Sequence, residues 1–280
     1  MRNLSFLQTV LILLAVCLTG LGAQASEPVY QPTDTIVILG AVPQEIPVLV
    51  DALEEAETGN LWGVPYWKGK LHGKPVVIAI TGIGKTYTGM TTTLFLREFQ
   101  PRLALMTGTG ARVNPELKTG DVVVATHTYE HDYGSLTAEG MVYRPMNGPD
   151  DGNEVENEFT PTPELLAKAE QAMKRYPAQT IEADGKTYQN HVRLGVVASS
   201  DLFGVTAQRL DTLRNRFKAD IMEMESGPFG HVCESFGVPY LIVRSGSNQA
   251  QEAPNDDYLR LGPIAAKEAA KFSLHLLQYL

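Results

Sequence analysis

Strand-length apolar runs recur along this chain with almost no polar interruption: "TIVIL" (35–39), "PVVIAI" (75–80), "LALM" (103–106), "DVVVA" (121–125) and "PYLIV" (239–243). A sheet that wets one face alternates apolar with polar residues, whereas runs like these belong to strands covered on both faces. Segments of helical period lie between them. In "QEIPVLVDALEEAE" (44–57), Ile46, Leu49, Val50 and Leu53 fall on one side. In "TPTPELLAKAEQAMKRY" (160–176), Thr162 is placed to cap a helix with Pro163 in its first turn and Lys174 and Arg175 near its end. The pattern predicts a single α/β domain with helices packed on a central sheet.

Residues 1–25 are a separate object. Arg2 precedes an apolar run that closes on the small-residue pattern "AQA" (23–25), the signature of a secretion signal cleaved after Ala25, which leaves 26–280 as the mature domain. Gln8, Gly20 and Gly22 argue against a stable membrane anchor, so an exported protein, periplasmic or extracellular, is expected. Beyond the signal only Cys233 remains, so stability rests on a core and not on a disulfide. A formal net charge of −9 without any lysine-arginine run argues against a nucleic-acid partner. The acidic stretch "PMNGPDDGNEVENEF" (145–159) has no apolar period and reads as an exposed loop, either merely solvated or a lid.

"IMEMESG" (221–227) is the odd segment. As a strand it sends Met222 and Met224 to one face and Glu223 and Glu225 to the other. Buried carboxylates are costly unless paired, hydrogen-bonded or used, so that face is either a wet edge or a site. Glycine-rich turns are expected after three strands: "LGAVPQE" (39–45), "TGIGKT" (81–86, with Ile83) and "MTGTGAR" (106–112, with Thr109 and Gly110). Ligands of open α/β sheets sit outside the carboxyl ends of strands, where these turns would line a crevice. Glu45 lies just past the first turn, either as a plain first-turn glutamate or as a carboxylate in reach of a water molecule. Arg244 reads as the end of the last strand, with "SGSNQAQ" (245–251) as a terminal loop. No turn has dinucleotide or P-loop spacing, His127 and His131 make no convincing metal signature, and Cys233 reads as a helix-core residue. Neither metal, cofactor nor covalent catalysis is expected.

The ordered set "LGAVPQE", "TGIGK", "TGTGARVNPELKTGDVVV", "SSDLF", "MEMESG" and "VPYLIVRSGSN" resembles the nucleoside phosphorylase and nucleosidase superfamily, and within it the 5'-methylthioadenosine/S-adenosylhomocysteine nucleosidases. The resemblance runs from about Thr35 to Leu280. It implies a mixed, twisted, partly closed sheet flanked by helices, a purine nucleoside substrate and cleavage of its N-glycosidic bond. On these positions Glu45 would activate water, Glu225 would hold the ribose hydroxyls, and Met224 would lie under the ribose. Phe203 would stack on the base, and Ile83 and Arg244 would fall near the nucleoside. Glu223 would either bind a ribose hydroxyl or support the site. A homodimer is implied for a hydrolase of this kind.

One position departs from the family. Those nucleosidases carry Ser-Asp where this chain has Ser247-Asn248, and an amide cannot deliver a proton to N7 of the purine. Three readings follow: a preference for 6-oxopurine nucleosides, slower cleavage of adenine nucleosides, or an exported nucleoside-binding protein without turnover. Phosphate is the other candidate acceptor. Phosphorylases of the superfamily hold it with arginines in the first and third glycine turns. Here the first turn has none, Met106 stands at the third-turn position, and Arg112 lies a few residues on. Water is expected because Glu45 would repel phosphate.

Overall fold

The computed structural model describes residues 30–148, the backbone of 154–155, and residues 157–251 and 255–280. The leader at 1–25 and the middle of the acidic stretch lie outside the described residues, but that stretch is not exposed loop throughout: Met146 and Phe159 are buried, and Glu158–Phe159 is a strand of the main sheet. Residues 32–280 form one compact unit.

Ten strands make its main sheet: β1 (Thr33–Gly40), β2 (Glu54–Leu61), β3 (Val64–Leu71), β4 (Lys74–Ile80), β5 (Pro101–Arg112), β6 (Val122–Glu130), β7 (Glu158–Phe159), β8 (Val192–Ser199), β9 (Ile221–Glu223) and β10 (Tyr240–Gln249). The path runs β7-β6-β8-β9-β5-β1-β4-β3-β2, and β10 pairs with both β5 and β6. Strands β5, β9, β8, β6 and β10 therefore close into a ring, while β1 to β4 extend it as an open wing. The sheet is mixed: β10 is parallel to β5, Tyr240 opposite Ala104, and antiparallel to β6, Val243 opposite Val124.

Among the described residues six α-helices flank the sheet: α1 (Pro47–Asp51), α2 (Lys85–Phe99), α3 (Pro163–Arg175), α4 (Ala207–Asn215), α5 (Ser226–Ser235) and α6 (Asn255–Leu276). Burial on both faces explains the unbroken apolar runs. Ile36 and Ile38 of β1 join Leu103, Leu105, Val122, Val124, Leu241 and Val243 in a core closed by Leu49 of α1, Ala169 of α3 and Phe272 of α6. Val37 and Leu39, pointing to the opposite face, are also fully buried. Thr162 caps α3 as its sequence predicts, accepting the N–H of Leu165.

Three further expectations are corrected. The helix over 44–57 stops at Asp51, because Glu54–Leu61 is a strand paired with Val64–Leu71 across the Trp62-Gly63 turn, with Glu57 and Glu55 bridged to Lys68 and Lys70 at 2.8 Å. Its acidic, exposed residues form no apolar run that would mark a strand. "MTGTGAR" is not a turn, since β5 runs through it to Arg112. Likewise β10 continues to Gln249, so Arg244 is mid-strand and most of "SGSNQAQ" is not loop.

Candidate active site

The turn after β1 places Glu45 at the floor of a cleft, where it is almost wholly buried. Its Oε2 accepts the N–H groups of Ala41 (2.7 Å) and Val42 (3.3 Å), and its Oε1 accepts the N–H (2.8 Å) and hydroxyl (3.1 Å) of Thr109. Four donors fix the carboxylate in one orientation. The glycine below it is dictated by space: a Cβ on Gly108 would stand 2.4 Å from Nη1 of Arg244 and 2.6 Å from Oε1 of Glu45.

The alternation in "IMEMESG" ends where β9 ends, at Glu223. Glu225 is the N-cap of α5, so the two carboxylates are not the same face of one strand, and β9 lies inside the sheet between β8 and β5. Both converge on Arg244, which is fully buried. Its Nη2 meets an oxygen of Glu223 in close contact and Oε2 of Glu225 at 3.4 Å. Glu223 is otherwise taken up by the protein: it accepts the N–H of Glu225 (3.0 Å), the N–H of Ser226 (2.9 Å) and the hydroxyl of Ser199. That arrangement fits a supporting carboxylate. Glu225 has more freedom, since its Oε1 accepts only the N–H of Gly84 at 3.0 Å. Burial, reinforced by the neighbouring charge of Glu223 and only partly offset by Arg244, pushes its pKa up to about 8.

Above these groups lies an open cleft with about 650 Å³ of empty space, part of it continuous with solvent. Glu45, Ile83, Thr109, Phe203, Glu223, Met224, Glu225 and Asn248 all line it, as Ala41 and Val42 do. Two sequence candidates do not. Arg244 lies beneath the carboxylates, bonded to the hydroxyl of Ser226 at 3.0 Å and the sulfur of Met106 at 3.1 Å. Gly110 lies under β9, where a Cβ would come within 2.3 Å of Ile221. Its carbonyl accepts the hydroxyl of Ser247 at 3.0 Å.

Asn248 is buried at one side of the cleft. Its Nδ2 donates to the carbonyl of Gln249 (2.9 Å) and its Oδ1 lies 3.0 Å from the hydroxyl of Ser247. Phe203 is half exposed at the rim and meets Tyr258 edge-on, with ring centroids 5.6 Å apart. Tyr258 was missed by the sequence reading: it sits near the start of α6, where nothing in "NDDYLRLG" distinguishes it from an ordinary helix aromatic. Its hydroxyl accepts the amide of Gln44 at 2.9 Å, and burial together with the nearby Glu45 raises its pKa. Among the described residues no cluster of His, Cys, Asp and Glu is arranged to hold a metal ion. Arg112 is directed to the carbonyl of Leu117 (3.0 Å) and does not line the cleft.

Residues 35–278 match the family described as "Phosphorylase superfamily". The 5'-methylthioadenosine/S-adenosylhomocysteine nucleosidase of Bacillus cytotoxicus is 31% identical over 246 residues, 88% of this chain and 99% of that protein. The nucleosidase of the same name from Neisseria meningitidis, solved with methylthio-immucillin-A, superposes with a TM-score of 0.75 at 26% identity, over 89% of this chain and all of that one. The futalosine hydrolase of Helicobacter pylori gives 0.74 at 27% identity, over 88% of this chain and 98% of that one.

Proposed function

This chain belongs to the phosphorylase superfamily, and from that premise and the chemistry of the cleft we propose that it cleaves the N-glycosidic bond of purine nucleosides with water as acceptor. The observation that carries the reading is the Glu45 cradle. Four donors hold this carboxylate in a fixed orientation at the cleft floor, where it would serve as the general base. Water would attack C1' and lose its proton to Glu45 while the C1'–N9 bond breaks, its electrons passing to the purine. Glu225 would bind the ribose hydroxyls and strengthen that contact as the sugar becomes oxocarbenium-like. Glu223 and Arg244 would hold Glu225 in place from below, and Phe203 would cover the base.

Water is favoured over phosphate by charge. Glu45 lies at the cleft floor and among the described residues neither a lysine nor an arginine lines the cleft, so an anionic nucleophile would meet a carboxylate and no countercharge. Arg112, the one substitute for a phosphate-binding arginine that the sequence suggested, is committed to a backbone carbonyl.

Asn248 bears on the base. Its Oδ1 can accept from a protonated N7, and the amide proton not used by Gln249 then needs an acceptor. The 6-oxo group of hypoxanthine or guanine supplies one, whereas the amino group of adenine presents a second donor, and an unpaired buried donor costs about 1–3 kcal/mol. We therefore favour 6-oxopurine nucleosides, with the N7 proton taken from solvent. The adenine-type reading is favoured by the likeness to 5'-methylthioadenosine/S-adenosylhomocysteine nucleosidases. Export after cleavage at Ala25 and a homodimer belong to the same proposal: outside the cytoplasm the useful task is release of a free base for salvage.

The test is chromatography of the mature protein incubated with inosine, guanosine, adenosine and methylthioadenosine, each with and without phosphate. Base release from inosine or guanosine without phosphate is expected. Release only with phosphate makes the protein a phosphorylase, adenine-only release refutes the Asn248 argument, and tight binding without release makes it a nucleoside-binding protein.

A further inference from the structure

Two adjoining segments contribute to the cleft lining: 82–85, which carries Ile83 and aims the N–H of Gly84 at Glu225, and 201–204, which carries Leu202 and Phe203. Neither belongs to a strand or helix beyond Lys85. A closed circuit of polar contacts behind the cleft joins them. Lys85 donates its N–H to Oδ1 of Asp201 (2.8 Å) and its Nζ to Oδ1 of Asp132 (2.8 Å) and Oε2 of Glu130 (3.1 Å). Asp132 returns through Oδ2, which accepts the N–H of Asp201 at 3.0 Å. Gly84 takes φ of +91°, and a Cβ there would lie 2.9 Å from Oδ1 of Asp201, so the two segments touch at the residue that contacts Glu225.

This circuit is an expensive way to obtain stability. The Lys85 side chain is 22% exposed, and those of Glu130 and Asp132 are 8% and 17% exposed, so three charges are largely stripped of water for a net charge of −1. Pairs of this kind often gain nothing over apolar packing, and what they supply is a unique geometry. The geometry here ends on Glu225, the carboxylate to which the proposed reaction gives the ribose hydroxyls.

We propose that Asp132, which does not line the cleft, is a positioning residue: through Lys85 and Asp201 it sets the Gly84 N–H against Glu225 and holds the Phe203 wall in register with the ribose floor. The inference rests on the proposed nucleoside cleavage for its kinetic arm only. Asp132→Asn is the sharpest variant, being isosteric. Its amide can keep one contact to the N–H of Asp201 but turns a donor toward the Lys85 ammonium.

Two measurements test this. Hydrogen exchange, which requires no substrate, should show segments 82–86 and 200–205 exchanging faster together in Asp132→Asn, by roughly tenfold or more, while β10 is unchanged. Protection unchanged in either segment overturns the circuit. In the kinetic arm, Asp132→Asn should lower kcat/KM by about tenfold to a hundredfold, chiefly in kcat, as a small misplacement of a reacting contact does. In a Glu225→Gln background the same change should cost less than about threefold, because coupled groups are not additive. Full additivity overturns the positioning role. A wild-type protein that cleaves no nucleoside refutes the proposed function, and the exchange experiment then decides the circuit by itself.

Discussion

Thr109 holds one oxygen of Glu45 twice, through its amide N–H at 2.8 Å and its hydroxyl at 3.1 Å. The two contacts are separable. Thr109→Val keeps the amide and the shape of the side chain and removes only the hydroxyl, a bond to a carboxylate worth about 1.5 kcal/mol or more. A loss of kcat of about tenfold with little change in KM is expected in steady-state kinetics, while Glu45→Gln should abolish all but a residual rate. Equal rates for Thr109→Val and wild type would remove the hydroxyl from the machinery.

The raised pKa of Glu225 sets a pH dependence of stability. Its folded value of about 8 lies above its ordinary 4.5, so between those pH values the folded state binds more protons than the unfolded one. Stability from this group is present in full below about pH 4.5 and is lost as pH rises through about 8. Glu225→Gln stays neutral. Thermal melts at pH 5 and pH 8.5 should show wild type losing ground to the variant at the higher pH. A constant difference between the two would mean that Glu225 does not titrate in this window.

Asn248→Asp supplies an acid where the chain has an amide. Adenine nucleosides should gain, by as much as the 10² to 10⁴ of a general acid, and inosine should lose because a carboxylate faces its 6-oxo group. Comparing kcat/KM for adenosine and inosine in both proteins is sufficient. A gain on adenosine with inosine unharmed would contradict the proposed hydrogen-bond pattern.

Gly108→Ala inserts a methyl group between Arg244 and Glu45, two buried side chains held by other bonds. Overpacking of this sort costs about 1–3 kcal/mol and displaces both groups. A lower melting temperature together with loss of activity is expected. Gly89→Ala in α2, where a Cβ meets nothing within 4 Å, is the control and should be stable.

The two-sided sheet was legible in the sequence because its apolar runs have no wet face to mark, and "TIVIL" and "DVVVA" are indeed buried strands. The cleft residues were legible only through the ordered motifs, since a buried glutamate such as Glu45 has no local pattern of its own. The strand Glu54–Leu61 escaped because it is held by cross-strand charge pairs and not by burial. The glycines at 108 and 110 look like a turn to any local rule. They are glycines because Arg244 and Ile221, distant in sequence, approach the backbone there. Tyr258 and the Lys85–Asp132–Asp201 circuit are likewise products of long-range placement, with partners 47 and 116 positions from Lys85.

Ring closure has a consequence for how the molecule comes into being. Strand β10 must insert between β5 and β6, pairing Tyr240 with Ala104 and Val243 with Val124, contacts that span more than a hundred residues and are slow to form. The same strand brings Arg244 and Asn248. A chain in which this strand is not yet threaded therefore has neither a closed barrel nor a completed pocket.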